Sequence, residues 1–159
     1  TATDISENQI AQARKLSEGM QIEYYAIATE DLCFPDASFD VITACQCFWY
    51  FDHGRVMPNL FRMLKPNGRL LVLYMARLPY EDPIAAASEK LVLQYSPQWS
   101  GAGETIHPIR IPDCYRERFM LVYHDEYRLQ VPFTRESWHG RMKACRGVGA
   151  SLPAEELAA

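Results

Sequence analysis

Ala28-Thr29-Glu30-Asp31-Leu32-Cys33-Phe34-Pro35-Asp36-Ala37-Ser38-Phe39-Asp40 runs straight into Val41-Ile42-Thr43-Ala44. The same region closes with Phe61-Arg62-Met63-Leu64-Lys65-Pro66-Asn67-Gly68-Arg69-Leu70-Leu71-Val72-Leu73. In physical terms this is loop, buried strand, loop, helix, tight turn, buried strand. Phe39 to Ala44 and Arg69 to Tyr74 are short apolar runs bounded by turn residues, with a helical run between them. Nearly all-apolar strands joined by a helix predict a parallel sheet covered on both faces. Ligands of such sheets collect outside the carboxyl ends of the strands. Functional residues are therefore expected just after each strand.

Upstream, Thr1 to Ile5 reads as the end of a strand, because a helix signal starts at once. Ser6 with Gln9 three residues on is a capping box, and Ile5 with Ile10 fits a hydrophobic staple. Ile10, Ala13 and Leu16 continue one apolar face, and Gly19 supplies a stop. Asp4 thus sits at a strand's carboxyl end, directly before a helix. A carboxylate there accepts hydrogen bonds from nucleotide ribose hydroxyls; a solvated loop aspartate, or one paired to the helix N-terminus, is the alternative. Ile22 to Ala28 is the next strand.

After Ala44 comes Cys45-Gln46-Cys47-Phe48-Trp49-Tyr50-Phe51-Asp52, an aromatic post-strand loop. Phe48 and Phe51 fit the core under the following helix. Trp49 and Tyr50 are equally suited to the core or to the wall of a ligand pocket. Asp52 is a cap for a helix carrying Val56, Leu60, Met63 and Leu64, in which Pro58 predicts a late start or a bend. Lys65-Pro66-Asn67-Gly68 is a turn, with Pro fixing φ and Asn-Gly accepting positive φ. Beyond Leu78, a helical pattern over Pro83 to Tyr95 precedes a Pro-punctuated stretch to Arg118 that reads as a lid, with Trp99, His107 and Tyr115 as ligand-facing candidates. Residues 119 to 133 alternate loosely as a strand, and Thr134 caps a last helix with Trp138, Met142 and Cys145 on one face. The organisation expected is one domain: a core over residues 1–78, a substrate-side insert or lid over 79–118, and a C-terminal strand with helices over 119–159.

The chain has 159 residues, 48% of them hydrophobic, enough for one domain with a real core. A net charge of −4 gives no footprint for a nucleic-acid partner. No apolar run approaches the roughly 20 residues of a membrane helix. Five cysteines include no Cys-x-x-Cys pair: Cys45 and Cys47, two apart in or beside a buried strand, suit small core residues better than a zinc site, and with Cys33, Cys114 and Cys145 scattered a reducing cytoplasm is the natural compartment. No metal constellation is legible.

Three of these segments resemble one family. Thr29 to Asp40 looks like the link from strand 3 to strand 4 in class I S-adenosylmethionine-dependent methyltransferases of the small-molecule type (methyltransferase type 11-like). Gln46 to Asp52 resembles that family's loop after strand 4, and Leu64 to Leu70 its turn into strand 5. They occur in the family's order and spacing, across about residues 1 to 75. The resemblance implies an α/β, Rossmann-like, mostly parallel sheet with helices on both faces, and S-adenosyl-L-methionine as cofactor. It implies that Asp4 holds the ribose, with Ile5 on the adenine ring. Ala28, Thr29 and Glu30 would lie beside the adenine edge, and Cys45 and Gln46 near the methionine part. Trp49, Tyr50 and Trp99 would face a small-molecule acceptor. Ala28 departs from the family, which often has an acidic or polar group there.

The family's glycine-rich loop lies about 20 residues before the ribose acid, whereas this chain starts three residues before Asp4. The resemblance therefore predicts a longer parent, and a sheet incomplete here: strand 1, normally in mid-sheet, and the last strand are expected to be missing, leaving a gap beside strand 4. Methyl transfer by direct displacement needs a general base only when the nucleophile must lose a proton early; His53 and His107 are the candidates. A non-catalytic methyltransferase-like module and a nicotinamide-dependent dehydrogenase are the rival readings, since an acid after strand 2 serves the latter cofactor too.

Overall fold

The computed structural model describes residues 1–99, 101, 103, 109–145, 148 and 149. In chain order the elements are β1 (Ala2–Asp4), α1 (Glu7–Leu16), β2 (Tyr24–Ala26), β3 (Phe39–Cys45), α2 (His53–Met63), β4 (Leu64–Leu73), α3 (Pro83–Tyr95), α4 (Asp113–Arg116) and α5 (Arg135–Lys143). Single 3₁₀ turns stand at Thr29–Asp31 and Phe48–Tyr50. The chain forms two compact units, one from Thr1–Tyr74 and Ile109–Val122, the other from the described residues within Met75–Pro108 and Tyr123–Ala159.

The four strands of the first unit form two separate parallel pairs, β1 with β2 and β3 with β4. Among the described residues no strand joins the two pairs. α1 begins where the sequence places it: Ser6 accepts from the Gln9 amide, and Gly19 follows the helix at φ 84°. The Ile5–Ile10 staple does not close. Ile10 is buried, but Ile5 is 77% exposed.

β3 and β4 carry the core. Ala44 packs with Phe48, with Val56, Met57, Leu60 and Met63 of α2, and with Tyr115 of α4. Ile42, Leu70 and Val72, on the same side of the ladder, support them. Among the described residues the opposite face is open, with Val41, Leu71 and Leu73 all more than 40% exposed. The apolar strands predicted cover on both faces, and here one face has it. α2 starts immediately after its Asp52 cap, not late, and runs through Pro58. The proline ring denies a donor to the carbonyl of Gly54, which is solvent-exposed and so loses little. Phe39 pairs with Leu64 and Val41 with Arg69, so Lys65 to Gly68 bulge out of the ladder. Lys65 Nζ holds the bulge to Asp40 Oδ2 at 2.8 Å.

No strand forms between 119 and 133, contrary to the expectation from alternation. Locally, the Tyr123 hydroxyl and the Glu126 amide both bond to the Asp125 carboxylate at 2.9 Å. Met120 and Tyr127, each more than three-quarters exposed, have no neighbouring strand among the described residues.

In the second unit, α3 is capped by Asp82 and joined to α5 by the Trp138 indole donating to Ser88 Oγ at 2.9 Å. Glu89, almost fully buried, lies 3.7 Å from Arg77 and accepts from the Gly103 amide at 2.9 Å.

Candidate functional site

The carboxyl ends of β1, β2 and β3 collect most of the residues singled out in the sequence. Asp4 ends β1 with its carboxylate in solvent. Oδ1 accepts from the Ser6 amide at 2.7 Å, fixing the side chain at the start of α1, and Oδ2 has no partner among the described residues. Next to it, the exposed Ile5 side chain offers an apolar surface. The two local roles weighed for Asp4 thus coexist: one oxygen caps the turn, and the other stays available.

Ala28 and the Thr29–Asp31 turn follow β2 and are half-buried at Ala28, Thr29 and Glu30. Glu30 has a role that sequence spacing does not reveal. Its carboxylate accepts from the Asp52 backbone amide at 2.9 Å, tying the end of β2 to the start of α2. Arg55 and Asp31 add an exposed ion pair at 3.4 Å across the same junction.

Cys45 ends β3 and is exposed. Gln46 follows at φ 60°, a left-handed backbone that costs a non-glycine residue about 1–3 kcal/mol and tends to persist where function requires it. Its amide bonds to the Leu73 carbonyl at 3.0 Å, so the turn is held by the neighbouring strand. Cys47 is half-buried, and burial, with the nearby Cys45 and the negative charge of Asp4, pushes its thiol above the ordinary range.

The aromatic turn divides as its spacing predicts for two members. Phe48 is 1% exposed and Phe51 packs against the core. Trp49 is 39% exposed and leans on Tyr74, with ring centroids 4.4 Å apart, while Tyr50 is two-thirds exposed. His53, first residue of α2, faces Phe48, Phe51 and Tyr115, and its Nδ1 lies 3.1 Å from the Tyr115 hydroxyl. Tyr115 is a correction: expected on a lid facing ligand, it is 1% exposed in the core of the first unit. Its aromatic ring outweighs its sequence neighbourhood, and no periodic signal links it to a histidine 62 residues away.

Trp99 belongs to the second unit, where the Arg77 guanidinium stacks over its ring at 5.6 Å. His107 lies outside the described residues. Among the described residues no group of three or more metal-ligating side chains occurs. A groove of about 1570 Å³ in the first unit, absent from the sequence reading, runs along Leu64–Leu70 and Phe119–Val122; of the ligand-facing candidates among the described residues, Tyr115 alone lines it.

A family profile described as a methyltransferase domain matches residues 1–72. The ubiquinone/menaquinone biosynthesis C-methyltransferase of Vibrio campbellii is 42% identical over 65 residues, 40% of this chain and 25% of that protein. The enzyme of the same name from Escherichia coli is 33% identical over 89 residues, 53% of this chain and 35% of its own length. A probable methyltransferase of Arabidopsis thaliana is 39% identical over 67 residues, 41% of this chain and 11% of that protein. The chain therefore spans about a third or less of the length of these curated relatives.

Proposed function

We propose, from the methyltransferase-domain match over residues 1–72 and the relatives it shares them with, that the protein is a class I S-adenosylmethionine-dependent methyltransferase that transfers a methyl group to a small-molecule acceptor by direct displacement. The observation that carries this reading is the placement of Asp4. Its exposed carboxylate, at the end of a parallel strand, is braced through one oxygen and open through the other. The residues present fit the cofactor: an acceptor for ribose hydroxyls in Asp4, an apolar surface in Ile5, and a turn at Ala28, Thr29 and Glu30 for the adenine edge. Cys45 and Gln46 would line the methionine end, held by the strained Gln46 backbone. Trp49 and Tyr50 would bound the acceptor.

S-adenosylmethionine, the methyl donor of this family, supplies an already activated methyl group on its sulfonium. The chain's own work is to hold the ribose, exclude water from the aromatic turn and fix the acceptor's orientation. The relatives from Vibrio and Escherichia coli are named C-methyltransferases, which supports carbon as the accepting atom. A reducing cytoplasm suits five cysteines, all free in the structure.

Calorimetric titration of S-adenosylhomocysteine into the chain tests this. Micromolar binding is expected, weakened about tenfold or more by Asp4→Ala, a loss of about 1.4 kcal/mol. A folded chain that binds nothing sinks the reading for this chain and favours a non-catalytic methyltransferase-like module.

A further inference from the structure

The ring of His53 sits in an aromatic enclosure, 4.7 Å from the Phe48 centroid, 5.5 Å from Tyr115 and 6.2 Å from Phe51. One nitrogen, Nδ1, meets the Tyr115 hydroxyl at 3.1 Å. Nε2 has no partner among the described residues, and the side chain is half-buried, so this edge is the one left for water or a ligand. The Nδ1–hydroxyl contact holds a single hydrogen. Either the phenol donates to a bare Nδ1, or an Nδ1–H donates to the phenol oxygen. The two arrangements leave different groups unsatisfied. When the phenol donates, its hydrogen is used and the imidazole N–H sits at the accessible Nε2. When Nδ1–H donates, the buried phenol hydrogen is left without an acceptor among the described residues.

We propose that Tyr115 is a positioning residue whose hydroxyl donates to Nδ1 and holds His53 as the neutral tautomer with its hydrogen on Nε2. His53 is then a hydrogen-bond donor at the end of the aromatic turn, not a proton acceptor. The electrostatic setting agrees. Burial lowers the proton affinity of His53 and outweighs the opposing charges of Asp52 in its own cap and Glu30 in the turn after β2. Burial, with Cys114 beside it, pushes Tyr115 up to about 12, so the phenol keeps its hydrogen at any ordinary pH. In the methyltransferase reading, on which this consequence rests, His53 orients an acceptor through an oxygen lone pair, such as a carbonyl. The methyl acceptor then requires no proton removal by His53.

Long-range ¹H–¹⁵N spectra of the full chain at neutral pH test the assignment, with His53 identified by the signals lost in His53→Gln. The expected pattern is a bare Nδ1 and a protonated Nε2. Tyr115→Phe, which keeps the buried ring, is expected to raise the pKa of His53, because it removes a hydrogen bond made to the neutral form. An Nδ1–H tautomer in the wild type overturns the proposal, as does a pKa that falls or stays put in Tyr115→Phe. A purely structural Tyr115 moves neither signal, and the wild-type spectrum decides alone where the variant does not fold. The measurement uses no cofactor. A chain with Nε2–H that binds no S-adenosylhomocysteine therefore loses the methyltransferase reading and keeps the tautomer.

Discussion

Burial lowers the proton affinity of His53 although Asp52 and Glu30 pull the other way. In the unfolded chain an ordinary histidine takes up its proton near pH 6.5, while the folded chain does so at lower pH. As pH drops below about 6.5 the unfolded state binds the proton first, so the stability associated with a neutral His53 is full above that pH. It is lost on the way down to the folded pKa. Thermal unfolding midpoints should therefore decline on acidification from about pH 7 to 5, and His53→Gln should flatten that decline. An unchanged slope in the variant would assign the acid sensitivity to other groups. Asp4 and the Phe48 to Asp52 turn could be picked out from sequence because both follow strands directly, where local order alone marks a ligand edge. The Glu30 carboxylate on the Asp52 amide could not, since 22 residues separate them and the bond depends on where two loops meet.

The turn from α2 into β4 shows how a local motif gains a second purpose from packing. Asn-Gly is expected to accept positive φ, and Asn67 does, at 64°. Gly68 does not take that conformation; it is small for a different reason. A Cβ there would stand 2.9 Å from the Lys65 carbonyl oxygen and 3.2 Å from that of Asp40, both backbone atoms with little room to move. Gly68→Ala should destabilise the chain by about 1–3 kcal/mol, read as a lower denaturation midpoint with an unchanged denaturant slope. A loss of a few tenths would mean that the bulge yields. The Lys65–Asp40 bond that closes this turn pulls the Asp40 carboxyl below its usual range through its hydrogen bond and charge, though it lies in full solvent and adds little by itself.

Across the first unit, stability is expected to be uneven. β1 and β2 pair over three residues and pack with α1, whereas β3 and β4 pair along Val41 to Cys45 and rest on the buried face of α2. Opening free energies follow buried contact. Amides of Tyr24 to Ala26 should exchange about tenfold or more faster than those of Ile42 to Cys45. Equal protection would show that the two pairs open as one cooperative body.

The helices α1, α2, α3 and α5 were readable from their own segments and the parallel pairing of β3 with β4 from residues 28 to 75, because caps, turns and apolar periods act over four residues or fewer. The order of motifs extended this to the family and to the position of Asp4. Four features had no such signature: the open face of Val41, Leu71 and Leu73, the unclosed Ile5 staple, the unpaired run after Phe119, and the burial of Tyr115 against His53. Each depends on which distant surfaces are present to cover a side chain. An apolar residue has the same local pattern whether a partner meets it or not, so tertiary packing alone decides.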